Sequence, residues 1–202
     1  MFAANRLKTA LVVAPLTSFS GHCYRIIEEL WRHDPLSAIG AVENGGRYNA
    51  PRAFPVLYTA ASRITALRET QALFETADGK LTDAPRNPEL LLTLEIALHA
   101  VLDLTQPDIC AQLGTSREEL VSATPSRFIL NAREKTTPTQ DLGAACYASE
   151  RVSALKVPSA AHPDGYCLDI FPDRLFTGEH VRIRDEHHRL RDEIQGQREP
   201  LS

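Results

Sequence analysis

No stretch of the chain constrains its fold more than residues 90–104, LLLTLEIALHAVLDL. Leu92, Leu94, Ile96 and Leu98 recur at every second position, the period of a strand with one buried face. The run is also long enough for a helix, and the alternation favours the strand. Residues 54–60 (FPVLYTA) read as a short buried strand whose Pro55 places its start near an edge or bulge. Residues 151–158 and 166–171 read as two more strands, and 181–184 as a last one. Residues 20–33 stay open: Tyr24, Ile27, Leu30 and Trp31 suit a helix, while 23–27 equally suit a short strand. Residues 42–50 read as a turn. Ser62 offers the N-cap of a helix to about Thr76, closed by Asp78-Gly79. Further helices are read over 108–113, 116–121 and 139–149. Strands and helices mix without a βαβ rhythm, which predicts an α+β fold, a single compact domain with a mixed, partly antiparallel sheet. That domain is expected over residues 1–184, with a polar tail over 185–202 that frays or forms an exposed helix.

The 202 residues allow one sizeable core. Apolar residues at 43% and charged residues at 24% are ordinary globular usage, so disorder is not expected. A net charge of −4 gives no global basic field, and neither direct nucleic-acid binding nor membrane attachment is expected. Cys23, Cys110, Cys146 and Cys167 are far apart, without C-x-x-C or a histidine at ligand spacing, so free buried thiols are expected and no metal. Residues 1–19 hold one brief apolar stretch and lack the pattern of a signal peptide, which makes the expected location cytoplasmic. No G-x-G-x-x-G, P-loop or G-x-S-x-G occurs.

Four features carry possible chemistry. Gly45-Gly46-Arg47-Tyr48-Asn49 pairs two permissive glycines with a guanidinium, so backbone amides and a cation can share a phosphate. Taken alone it is more simply a structural turn with a solvated arginine. Glu69 has Thr65, Ala66, Ala72 and Leu73 as its helical neighbours, with Arg68 and Gln71 pointing elsewhere, so its carboxylate faces a cavity or marks a helix border. Arg25 lies within an apolar run and is either snorkelling or paired. Ser159 follows Val157-Pro158 at the end of a strand, where most serines satisfy a turn.

In this order, Tyr24-Arg25, Gly45-Gly46-Arg47-Tyr48-Asn49, Val56-Leu57-Tyr58-Thr59-Ala60, Ser62 with Ala66-Leu67-Arg68-Glu69, and Val157-Pro158-Ser159 resemble the RES domain family, named for an arginine, a glutamate and a serine. Val101-Leu102-Asp103-Leu104-Thr105 is similar to its "LDLT" segment, and Thr139-Gln140-Asp141-Leu142-Gly143 to its "TQ-x-LG" helix. The chain departs after the serine, where DGYCLDIFPD (164–173) stands in place of the family's N-x-x-x-NP-x-H.

The resemblance implies an ADP-ribosyltransferase-like fold and a bacterial toxin that degrades NAD+, by hydrolysis or phosphorolysis of the nicotinamide–ribose bond. Its runner-up is transfer of ADP-ribose to a protein, and a catalytically idle binding module is the non-enzymatic alternative. NAD+ is then a substrate and no cofactor is expected. The implied partner is an Xre-type helix-turn-helix antitoxin, and a homo-oligomer is compatible with the charge. Carried onto this chain, Glu69 is the acid that stabilises an oxocarbenium-like ribose. Arg47, Gly46 and Arg25 hold the pyrophosphate, Tyr48 and Tyr58 stack on a base, and Ser159 bonds a ribose or the carboxamide. Arg52 falls to the surface.

Overall fold

The computed structural model describes residues 4–71, 73–75, 81–83, 87–122, 127–187 and 189–199. Residues 90–104 form the central strand of the fold, β5 (Glu89–Asp103). Leu92, Leu94, Ile96, Leu98 and Ala100 are all buried, as the two-residue period predicts. The open stretch at 20–33 is strand as far as Glu28, followed by a single 3-10 turn over Glu29–Trp31: β1 (Thr17–Glu28) runs antiparallel to β5 from Glu28↔Glu89 to Thr17↔Val101.

The remaining strands are β2 (Leu57–Ala60), β6 (Ala154–Pro158), β7 (Tyr166–Ile170), β8 (His180–Ile183) and β9 (Glu193–Gln195). The sheet has seven strands in the order β1-β2-β7-β6-β5-β8-β9, and the additional β1–β5 pairing closes five of them into a ring. Only β5–β6 is parallel, so the sheet is mixed and mostly antiparallel. Val101 and Leu102 mark the two faces. All five strands of the ring contribute to one core with Val101, including Cys23, Leu57, Leu94, Ala154 and Leu168. Leu102 belongs to a second core, where Val56, Leu155 and Val157 meet the helices.

The helices of the described residues are α1 (Ala4–Val13), α2 (Ile39–Asn44), α3 (Arg63–Glu69), α4 (Pro107–Gln112), α5 (Arg117–Val121), α6 (Arg127–Ala132) and α7 (Pro138–Ala148), of which α1, α4, α5 and α7 place buried side chains in that core. Local chemistry sets their starts. Ser62 Oγ accepts the Thr65 amide at 3.1 Å, Ser116 Oγ caps α5, and Thr137 with Gln140 forms a capping box ahead of Pro138. Among the described residues no helix is long and apolar enough to cross a membrane.

Three expectations differ from the structure. The helix from Ser62 stops at Glu69, where Thr70 Oγ1 donates to the Ala66 carbonyl at 2.9 Å and Gln71 takes a positive φ of 58°. The chain continues into a hairpin, β3 (Leu73–Glu75) with β4 (Leu81–Asp83); the expected stop at Asp78-Gly79 lies outside the described residues. Residues 42–44 close α2 rather than open a turn, and α1 was not foreseen. In the polar tail, β9 pairs with β8 through Val181↔Ile194, so the sheet extends beyond residue 184 and the segment neither frays nor turns helical there.

Candidate functional site

A cleft of about 710 Å³ opens between β1, β2, the 45–49 turn and α3, with β7 contributing to its lining. It gathers residues from four of the sequence features: Arg25, Gly46, Arg47, Tyr58 and Glu69 all line it.

The turn is assembled from both sides. Gly45 ends α2 with φ at 67°, a conformation that favours glycine, and the Gly46 amide returns to the Asn49 carbonyl at 2.8 Å. A Cβ on Gly46 would lie 2.2 Å from the Tyr58 hydroxyl, so the turn rests on the tyrosine. That hydroxyl donates to Asn49 Oδ1 at 2.7 Å and accepts the Tyr48 amide at 3.1 Å. From the other side, Gln140 Nε2 of α7 donates to the carbonyls of Gly46 and Asn49, both at 3.1 Å. The "TQ-x-LG" motif is therefore the clamp on the "GGRYN" turn.

Arg47 is fixed by the end of α5. Its Nη1 donates to the carbonyls of Leu120 and Ser122, each at 3.0 Å, and Nη2 has no partner among the described residues. Arg25 donates to the Tyr58 carbonyl at 3.2 Å and the Ser37 carbonyl at 2.9 Å, while its buried Nε has no partner. Burial lowers the Arg25 guanidinium to about 10, still charged at neutral pH. Arg68 also lines the cleft, again with a buried Nε lacking a partner. Among the described residues none of these three arginines pairs with a carboxylate. A desolvated cation without a counter-ion is costly, and an anion entering the cleft would offset that cost.

Glu69 ends α3, and a single oxygen takes every donor offered to it. Ser159 Oγ is 2.5 Å from Oε1, the Ala160 amide 2.9 Å and the Ala161 amide 3.3 Å. The His162 amide donates to Ser159 Oγ at 2.9 Å, which orients the hydroxyl toward the carboxylate. Oε2 has no hydrogen-bond partner among the described residues. The loop is tied back to α3 by His162 Nδ1, 2.8 Å from Thr65 Oγ1.

Two of the expected site residues, Ser159 and Tyr48, are not among the residues that line the cleft. Ser159 is only 3% exposed, and its hydroxyl is directed at the Glu69 carboxylate. Tyr48 is wholly buried, with its ring in the helix-side core and its hydroxyl unpartnered, so it cannot stack on a base. The second aromatic ring at the cleft is Tyr24, beneath the Arg63 guanidinium at 5.6 Å.

Arg68 and Gln71, expected to point away from Glu69's surroundings, both line the cleft. The helix ends before Gln71, so its position does not follow helical periodicity. Asp169 was also missed: it lies on β7 opposite Tyr58, is 2% exposed, and faces the cleft with a buried, unpartnered Oδ1. Burial above all, then the Glu69 charge, pushes its carboxyl well above the ordinary range, against the pull of Arg47. Its only sequence signal is an acid within the apolar strand YCLDIF. All four cysteines are free; burial pushes the thiols of Cys23 and Cys146 up to about 12.

A family model described as the RES domain matches residues 22–193, which contain every cleft residue named above. The NAD(+) phosphorylases MbcT of Mycobacterium bovis and of Mycobacterium tuberculosis (strain H37Rv) are each 35% identical over 106 residues. Those matches cover 50% of this chain and 54% of each relative, so the chain spans about half the length of the curated relatives it matches. A solved structure, the M. tuberculosis MbcT-MbcA toxin–antitoxin complex, superposes with a TM-score of 0.65 at 24% identity, covering 91% of this chain and 92% of that one.

Proposed function

The chain belongs to the RES domain family, and from that premise we propose that it is an NAD+-degrading enzyme that cleaves the nicotinamide–ribose bond. The observation that carries the proposal is the cleft: three arginines without carboxylate partners among the described residues face a glutamate fixed through one oxygen. Such a site suits a substrate with a pyrophosphate at one end and a centre of developing positive charge at the other.

In this reading Arg47, Arg25 and Arg68 hold the pyrophosphate, with Gly46 letting the backbone approach. Tyr58 and Tyr24 flank a ring. Glu69 presents Oε2 to the ribose, where its charge stabilises an oxocarbenium-like state. The bond from ribose C1′ to the ring nitrogen breaks with its electron pair going to the nitrogen, so a cationic ring leaves as neutral nicotinamide. A nucleophile then bonds to C1′ from the opposite face. The likeness to the MbcT phosphorylases favours inorganic phosphate as that nucleophile, with ADP-ribose 1″-phosphate as the product.

The same likeness favours a toxin's role: depletion of NAD+ that halts growth, restrained by an antitoxin. We assign an Xre-type helix-turn-helix protein as the antitoxin and the cytoplasm, where NAD+ is found, as the location. Incubating the protein with NAD+, with and without phosphate, and weighing the products tests the chemistry. Phosphorolysis gives the phosphorylated ADP-ribose only when phosphate is present. Free ADP-ribose in both incubations would assign water as the acceptor, and a mass increase on a protein would assign ADP-ribosyl transfer.

A further inference from the structure

We infer that Asp169 is a further ligand-contacting residue of the cleft, donating its carboxyl proton in a hydrogen bond to a phosphoryl oxygen that Arg47 also holds. The inference rests on reading the cleft as an NAD+ site.

Asp169 lies in the middle of the sheet, where β7 is paired on both edges, opposite Tyr58 of β2 and Leu155 of β6. A carboxyl in such a position ordinarily finds partners, because an unsatisfied buried oxygen forfeits its hydration. Here Oδ1 is buried and has none, although the residue lines the cleft. The missing partner is thus expected from the cleft side.

The groups around it decide which form the carboxyl takes. Glu69 of α3, Arg47 of the turn and Cys167 of its own strand line the same cleft, with Tyr48 and Tyr58 nearby. The β6 residues opposite Asp169 and Cys167 on this face are the apolar Leu155 and Val157. Two carboxyls facing one cleft do not both ionise readily. Three hydrogen-bond donors converge on one oxygen of Glu69. Asp169 is buried and no such donors reach it among the described residues, and burial favours its protonated form. A protonated acid is a donor, and a donor beside a guanidinium suits an anionic oxygen. An ionised carboxylate in the same place would repel it.

The phosphoryl oxygen comes either from the pyrophosphate of the dinucleotide or from free phosphate, and kinetics separate the two. Asp169→Ala is expected to raise one Michaelis constant about tenfold, the effect of removing one hydrogen bond to a charged group. A rise in KM for NAD+ at saturating phosphate assigns the pyrophosphate, and a rise in KM for phosphate at saturating NAD+ assigns the free ion. Asp169→Asn, which keeps a donor, is expected to lose less than Asp169→Ala. An equal or greater loss in the asparagine variant overturns the inference, because it requires an ionised carboxylate.

A second measurement needs no turnover and so separates this inference from the activity itself. In protein carrying 13C at the aspartate carboxyl carbons, the resonance absent from Asp169→Asn is titrated with and without inorganic pyrophosphate. The inference predicts a protonated carboxyl at pH 7 and a titration midpoint that rises with pyrophosphate. An ionised Asp169 at pH 7, or a midpoint that is unmoved or falls, overturns it. If wild-type protein releases no nicotinamide while the midpoint rises, the proposed reaction fails and the anion contact stands.

Discussion

Glu69 Oε1 lies 2.5 Å from Ser159 Oγ and takes two amides of the following loop, so the serine hydroxyl is directed at the carboxylate. Removing one hydrogen bond to a charged group of this kind costs about 1.5–3 kcal/mol. Ser159→Ala is therefore expected to lower kcat about 10- to 100-fold with a smaller change in KM for NAD+. A change confined to KM would instead place the hydroxyl on the substrate. Asp169 gives a prediction on stability. Its folded-state pKa is raised above that of the unfolded chain, about 3.9. Below that value both states hold the proton and the residue is neutral toward stability. As pH rises the unfolded chain ionises first, so stability falls until the folded carboxyl also ionises. Asp169→Asn should therefore melt at a higher temperature than wild type at pH 7–8, with the gain vanishing toward about pH 3. A gain that persists at low pH would trace it to packing rather than to charge.

At the scale of elements, α7 and the 45–49 turn behave as one unit. A Cβ on Gly143 would lie 1.8 Å from the Tyr48 carbonyl oxygen, backbone that cannot step aside without moving the turn. Gly143→Ala is expected to destabilise the fold by about 3 kcal/mol, read from urea unfolding. An unchanged midpoint would mean that α7 does not press on the turn. This contact also explains what the sequence could and could not reveal. Arg47, Glu69 and Arg25 were legible because their roles follow the chain order of the motifs, and β5 because alternation survives over its whole length. Tyr48, expected at the cleft, is buried in the core while Tyr24 lines the cleft, because neither residue type nor spacing tells which aromatic a turn sends into the core. Arg68, Gln71 and Asp169 escaped because their place depends on where α3 stops and on which strands flank β7. Both are properties of tertiary pairing rather than local pattern.

For the whole molecule, the ring of five strands carries cleft-lining groups on β1, β2 and β7, α3 carries Glu69, and α5 and α7 hold Arg47 and its turn from outside. A cleft held this way is preorganised, and activity should follow the cleft rather than the surface. Expression in bacteria is expected to stop growth with a fall in cellular NAD+, and Glu69→Gln should restore both. Arrest by the glutamine variant with NAD+ intact would favour a binding role for the fold. Whether Glu69 in this cleft breaks the nicotinamide–ribose bond is read from nicotinamide release from NAD+ by purified wild-type protein and by Glu69→Gln. The wild type is expected to release nicotinamide in the presence of phosphate and the variant to lose about 10³-fold or more, the scale of removing charge stabilisation from a transition state. Equal release by the two proteins, or none by the wild type, would contradict that role of Glu69.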